Sequence, residues 1–273
     1  FQVADMDAST ITHVNYGFAN IANGRCVLGD AYADTDKAFP GDTWDQPLRG
    51  NFHQLALLKA AHPHLRTLIS VGGWTWSGQF SSVASTAAGR QLFAESCVEF
   101  MHTYGFDGID IDWEYPVEGG ADPSGNPADR DNYTLLLAEL RAALDAATPS
   151  GSERKLLTIA SSPNPAYVGN MDLAAMDDIL DWVNVMTYDY NGAWQSTSAH
   201  NAPLTPNPAP SNPFPGYSVA GTVDAYLAAG LRGSKLVVGM PTYGRAWRSM
   251  PAGPSGTGLF SSCGGSCPAT GTW

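Results

Sequence analysis

Four carboxylates stand within one short run, Phe106-Asp107-Gly108-Ile109-Asp110-Ile111-Asp112-Trp113-Glu114-Tyr115-Pro116. The isoleucines between the acids predict a β-strand over 106–112, and successive side chains of a strand point to opposite faces. Asp110, Asp112 and Glu114 therefore share one face, about 6 to 7 Å apart along the chain. Ile109, Ile111 and Trp113 share the other. Three carboxyl groups at that spacing, turned toward a protein interior, cannot all ionise cheaply, because desolvation and like charge raise at least one pKa. Three chemistries compete for such a ladder. A structural ion-pair network needs cations, and the run holds no Lys or Arg. A magnesium or calcium site would use the oxygens, but an EF-hand is excluded because the isoleucines belong to a strand and the loop glycine is missing. Cleavage of a glycosidic bond needs a carboxylic acid of raised pKa to protonate the leaving oxygen, and a coupled ladder supplies one while keeping its proton mobile. Asp107 falls on the other face or at the strand's start and reads as structural.

The remaining composition narrows the partners. With 14 Lys plus Arg against 26 Asp plus Glu, the 273 residues carry a formal charge of −12. Such an excess repels phosphate backbones and anionic lipid heads, so neither nucleic acid nor a membrane surface is an expected partner. At 44% apolar and 15% charged residues the chain has enough apolar material for a core, unlike a disordered chain. No run approaches the ~18 to 20 uninterrupted apolar residues of a membrane span, and Phe1-Gln2-Val3-Ala4-Asp5 lacks the basic and apolar regions of a leader. Eight Trp and eleven Tyr provide rings that stack on sugars, although most Trp in any protein are core. Of the four cysteines, Cys263 and Cys267 lie in a Gly/Pro-rich loop, as a local disulfide or as two thiols. The disulfide would imply an oxidising compartment. Cys26 is expected in a loop and Cys97 as a buried thiol in a helix. There is no HExxH, and the six His read as structural or solvent-facing. No metal and no cofactor are expected.

The elements that must position the ladder alternate along the chain. Strands are predicted at Ile11 to Ala19, Leu65 to Val71, Phe106 to Asp112, Leu156 to Ala160, Trp182 to Thr187 and Leu236 to Pro241. Between them, apolar residues recurring at three and four predict helices at Phe52 to Ala61, Ala84 to Tyr104, Asp129 to Ala147, Met171 to Leu180 and Val219 to Ala229. Strands alternating with helices predict an α/β fold with a parallel sheet, either doubly wound or a closed barrel. The segments leaving the strands' C-terminal ends are long and rich in aromatic, Gly and polar residues (Val71 to Trp76, Tyr115 to Ala128, Tyr188 to Tyr217), whereas those leading back are short. That asymmetry places a site at the C-terminal face of a barrel.

The motif Asp107-x-x-Asp110-x-Asp112-x-Glu114 followed by Tyr115-Pro116 resembles the signature of glycoside hydrolase family 18, the chitinases. Ser70-Val71-Gly72-Gly73-Trp74 is similar to the family's SxGG turn, and Met186-Thr187-Tyr188-Asp189 to its MTYD segment. The similarity extends to Asn15-Tyr16-Gly17-Phe18-Ala19, Trp194 and Gly239 to Arg245. It implies a TIM (β/α)8 barrel and a substrate-assisted retaining hydrolysis of β-1,4-linked N-acetylglucosamine. In that mechanism the substrate's 2-acetamido oxygen is the nucleophile. The resemblance makes Glu114 the general acid and later base, while Asp112 orients the acetamido N–H and stabilises the oxazolinium ion. Asp110 shares a proton with Asp112, and the Tyr188 hydroxyl holds the acetamido oxygen for attack. Phe18, Trp74, Trp76, Met186, Asp189, Trp194, Tyr243 and Arg245 become substrate-binding residues. Non-proline cis peptides at Gly17-Phe18 and Glu114-Tyr115 are implied as well.

The first segment to match the family is its second strand, Ile11 to Ala19, so the barrel is expected to be incomplete, running from about the second to the seventh strand. Residues 1–247 are expected to form the barrel without its first and last strands, and residues 248–273 the start of an α+β insertion. The implied protein is a secreted, monomeric chitinase acting on chitin and chitooligosaccharides. A chitin-binding lectin of the same fold, inactive through truncation, is the alternative from another class, and the presence of Glu114 speaks against it. An endoglycosidase acting on the chitobiose core of glycoproteins is a third reading. Against it, the aromatic loops suit a long polymer groove.

Overall fold

A computed structural model describes residues 1–121, 125–192, 194–209, 211–247, 250–253 and 255–262. The chain divides into two compact units, Phe1–Ile159 with Asp178–Asp181, and Ala160–Asp177 with Trp182–Trp273.

In the first unit the chain runs through β1 (His13–Ala22), β2 (Arg25–Val27), α1 (Gly50–Ala61), β3 (Arg66–Gly72), α2 (Phe80–Ala84), α3 (Ala87–Tyr104), β4 (Gly108–Asp112), α4 (Asp129–Ala147) and most of β5 (Leu156–Ser161). β3 pairs in parallel with β1 on one side and β4 on the other. The amide of Leu156 continues the order, donating to the Asp107 carbonyl at 3.0 Å. Every residue of β4 is buried, as expected for a strand covered on both faces. Its helix-facing side carries Ile109 and Ile111, both fully buried. Just beyond, Trp113 stacks on Phe80 of α2 at 5.3 Å and meets Tyr133 of α4 edge-on at 4.9 Å.

Two local features differ from the sequence reading. A short antiparallel strand, β2, folds back on β1 through Asn23-Gly24, both at positive φ (52° and 73°). This is the Asn-Gly turn that matches strand twist, and it puts Cys26 in a strand rather than a loop. The helix expected over 84–104 keeps its expected end at Tyr104 but starts at Ala87 as α3, because Thr86 adopts extended backbone and its side chain accepts from the Gly89 N–H as the N-cap; the separate α2 ends at Ala84. The helix expected over 129–147 has those ends.

The second unit holds the end of β5, α5 (Leu173–Asp177), β6 (Trp182–Val185), α6 (Val219–Ala228) and β7 (Leu236–Val238). The amide of Met186 donates to the Ser161 carbonyl at 2.9 Å, setting the end of β6 beside β5. β6 and β7 pair in parallel. The helix expected over 171–180 shrinks to α5, preceded by a 3-10 turn at Pro165–Asn170. Its first residue, Met171, has extended backbone. The peptides Gly17-Phe18 and Glu114-Tyr115 are both cis. Cys26 and Cys97 are buried thiols; Cys263 and Cys267 lie outside the described residues. No helix among the described residues is long and apolar enough to cross a membrane.

Candidate active site

Strand register builds the centre of the ladder. The β3–β4 pairing sets Ser70 opposite Asp110 and Gly72 opposite Asp112. From that position the Ser70 hydroxyl donates to Asp110 Oδ2 at 2.7 Å. Thr158, reaching in from β5, donates to the other oxygen, Oδ1, at 2.5 Å. All three groups are buried, Thr158 completely. Hydrogen bonds to a carboxylate favour its charged form, and Asp110 receives two.

Asp112 ends β4, only 5% exposed. Its Oδ1 is buried with no hydrogen-bond partner among the described residues. Burial first, and then the charges of Glu114 and Asp110, push the Asp112 carboxyl well above the usual carboxylate range. The two neighbours thus differ in environment: Asp110 receives two hydroxyl donors and Asp112 Oδ1 receives none among the described residues, the kind of contrast that sets paired carboxyls apart. Glu114 lies two residues beyond the strand, half-buried. Asp107 turns away from the ladder: Lys59 Nζ pairs with it at 2.5 Å, and it accepts from the Thr67 N–H at 2.8 Å. Its reading as a structural residue matches this geometry.

Six of the twelve expected site residues belong to the first unit, namely Asp110, Asp112, Glu114, Phe18, Trp74 and Trp76. Phe18 is 39% and Trp74 53% exposed. The Phe18 ring covers Gly73, where an added Cβ would come within 3.0 Å of it and where φ is +82°. Glycine tolerates both conditions. Trp74 meets Tyr115 edge-on at 6.4 Å. Trp76 is half-buried against Gly29.

The other six, Met186, Tyr188, Asp189, Trp194, Tyr243 and Arg245, belong to the second unit. Tyr188 packs edge-on to Tyr243 at 6.2 Å, and Met186, half-buried, anchors the segment through its amide. Arg245 holds Asp189 Oδ1 with Nε at 2.8 Å and a second nitrogen at 2.7 Å. Its guanidinium lies 5.1 Å from the Trp194 ring and 5.4 Å from Tyr243, the arrangement of a cation–π pair. Burial, and then the hydrogen bond to Asp189, raise the Tyr243 phenol above its ordinary range.

Two positions outside the sequence reading organise these segments. Asn201 accepts from the Asp189 N–H at 3.0 Å and donates to the Tyr243 carbonyl at 3.2 Å, tying two parts of the chain that lie far apart in sequence. Asp129, fully buried at the start of α4, accepts from the Ser81 hydroxyl at 2.7 Å and from the Asn126 N–H at 2.9 Å. It also receives the Val117 N–H at 3.4 Å, so it gathers the loop that leaves Glu114. For Asp129 the available signal was an acid at a helix start, which also has the bland reading of a cap. Among the described residues no cluster of three or more His, Cys, Asp or Glu side chains could hold a metal ion.

The model of the family described as Glycosyl hydrolases family 18 matches residues 2–265. The chain is 46% identical to Chitinase A1 of Niallia circulans over its whole length, covering 44% of that protein. It is 41% identical to Endochitinase 1 of Metarhizium robertsii over 91% of its length, covering 58% of that protein. Among solved structures, Chitinase ChiA74 from Bacillus thuringiensis matches all of the chain with a TM-score of 0.93 at 40% identity, the chain covering 51% of it. The chain thus spans about half the length of these relatives.

Proposed function

We propose, from the premise that the chain belongs to glycosyl hydrolases family 18, that it carries the catalytic centre of a secreted chitinase that works as a monomer on chitin and chitooligosaccharides. Its fold class is that family's α/β TIM barrel. The observation that carries the reading is Asp112, a buried carboxyl whose Oδ1 has no partner among the described residues, set between Asp110 and Glu114. An isolated buried acceptor is costly, and the N–H of a 2-acetamido group is the donor that would satisfy it. In this reading Glu114 protonates the glycosidic oxygen as the acetamido oxygen attacks the anomeric carbon. The C–O bond breaks, and an oxazolinium ion forms beside Asp112. Glu114, now a carboxylate, takes a proton from the water that opens this ion. Tyr188 orients the acetamido oxygen. Phe18, Trp74, Trp76, Met186, Asp189, Trp194, Tyr243 and Arg245 bind the sugar chain. Trp44 and Tyr32, at 92% and 65% exposure, offer further stacking surfaces that the motif reading did not single out. Residues 250–253 and 255–262 are proposed to open an α+β insertion; the rest of 248–273 lies outside the described residues.

Turnover of labelled chitooligosaccharides by the wild type and by Glu114→Gln tests the assignment. The amide keeps the shape of Glu114 and removes its proton, so turnover should fall by at least ~10²-fold, the low end for a general acid. Equal turnover by the two proteins would sink it.

A further inference from the structure

The backbone that joins Asp112 to Glu114 leaves the sheet with a carbonyl at one end and an amide at the other. One hydroxyl meets both. Ser77 Oγ accepts from the Glu114 N–H at 2.9 Å, and it donates within 2.8 Å of the Gly73 carbonyl and 3.1 Å of the Asp112 carbonyl. The Gly73 N–H also reaches the Asp112 carbonyl, at 2.8 Å. Ser77 is 6% exposed, so water does not readily replace it. Leaving a buried N–H without its acceptor is costly, enough for the chain to move rather than leave the group unmet. The residue that would move is Glu114, whose backbone has already left the β4 ladder.

We propose that Ser77 is a positioning residue for Glu114: its hydroxyl clamps the Asp112–Glu114 backbone to the turn after β3 and thereby fixes where the acid's proton is delivered. This rests on the reading of Glu114 as the acid. Ser77 touches neither substrate nor proton in this role. Its effect is on the chemical step, since a displacement of about 1 Å at a reacting group costs on the order of 10²-fold in rate. Affinity for the sugar chain depends on other side chains.

The test is steady-state kinetics on a labelled chitooligosaccharide, with folding checked by near-UV circular dichroism. Ser77→Ala is expected to lower kcat roughly 10- to 100-fold with KM held within about threefold. Ser77→Thr, which keeps the hydroxyl, is expected to recover most of that loss. Ser85→Ala, in the same stretch of chain but exposed and donating to the Ser82 carbonyl, is expected to leave kcat unchanged. Should Ser77→Ala not fold, Ser77→Cys takes its place, since a thiol of similar size is a weak donor and acceptor. Wild-type kcat in either folded variant overturns the proposal. So does a loss that appears equally in KM, a loss that threonine fails to recover, or failure of both variants to fold, which would assign Ser77 to folding alone. Equal turnover of the wild type and Glu114→Gln would instead overturn the acid assignment beneath it.

Discussion

Replacing Thr158 with valine removes one hydroxyl from the Asp110 carboxylate while keeping the side chain's shape. Thr158 is fully buried, so no water stands ready to fill in, and a methyl group cannot approach an oxygen as closely as the 2.5 Å hydroxyl does. A hydrogen bond to a charged group contributes about 1.5–3 kcal/mol, against about 0.5–1.5 for a neutral one. One pKa unit corresponds to about 1.4 kcal/mol. The difference between the two, about 1–1.5 kcal/mol, should therefore shift the first apparent ionisation of the Asp110–Asp112 pair upward by about one unit, and the acid limb of the kcat/KM profile should move up with it. The stability effect has a definite sign. A native carboxyl pair that holds its proton more tightly than in the wild type loses stability relative to the wild type as pH rises through that ionisation. Near pH 3 the deficit is that of a neutral bond, about 1 kcal/mol. At pH 7 it grows to about 1.5–3 kcal/mol, or roughly 3 to 12 °C in melting temperature at about 2–4 °C per kcal/mol. Thermal unfolding at half-unit steps from pH 3 to 8, beside pH–rate profiles, reads both quantities. A melting deficit that stays constant across this range, with an unmoved acid limb, would show that Asp110 does not carry the charge and would refute the division of roles between the two acids.

Two further outcomes follow from the same geometry. Asp112→Asn should abolish most turnover yet raise the melting temperature at pH 7. Because burial and its neighbours lift the native carboxyl above its ordinary range, ionising it costs about 1.4 kcal/mol per unit of rise. The gain should vanish below about pH 4, where the unfolded chain also keeps its proton, and scanning calorimetry at the two pH values checks it. Asn201→Ala leaves the Asp189 N–H and the Tyr243 carbonyl without their present partners. It should cost about 1–3 kcal/mol in denaturant unfolding and raise KM several-fold.

The elements were legible where their pattern was long. The nineteen residues of α4 carry a sustained apolar repeat and were placed to their ends. Asp129 to Ala147 needed no tertiary information. α5 retains only five residues, too short a stretch for periodicity to place it against the extended backbone at Met171. At Ser85-Thr86 the apolar spacing runs on, while a single capping hydroxyl delays the start of α3 to Ala87. β2 was missed although Asn23-Gly24 announces it, because three residues are too few to show alternation.

At the site, the acids and the helix-facing residues between them were readable from alternation alone, since period two assigns each side chain to a face of β4 without reference to any other strand. What lies across from each acid could not be read that way. Register is a relation between strands, and a shift of one residue in β3 would turn Ser70 away from Asp110. Of the hydroxyls that set the two carboxyls apart, Ser70 is marked in the sequence only as the start of the SxGG motif, while Thr158 on β5 and Ser77, which opens a 3-10 turn and clamps the backbone between Asp112 and Glu114, are ordinary residues in a linear sequence. They acquire a role only through pairing. A ladder of three acids thus states that a proton will be shared. The neighbouring strands decide which acid keeps it, and so mutations in β3 and β5 should alter the pH dependence of a reaction whose motif lies on β4.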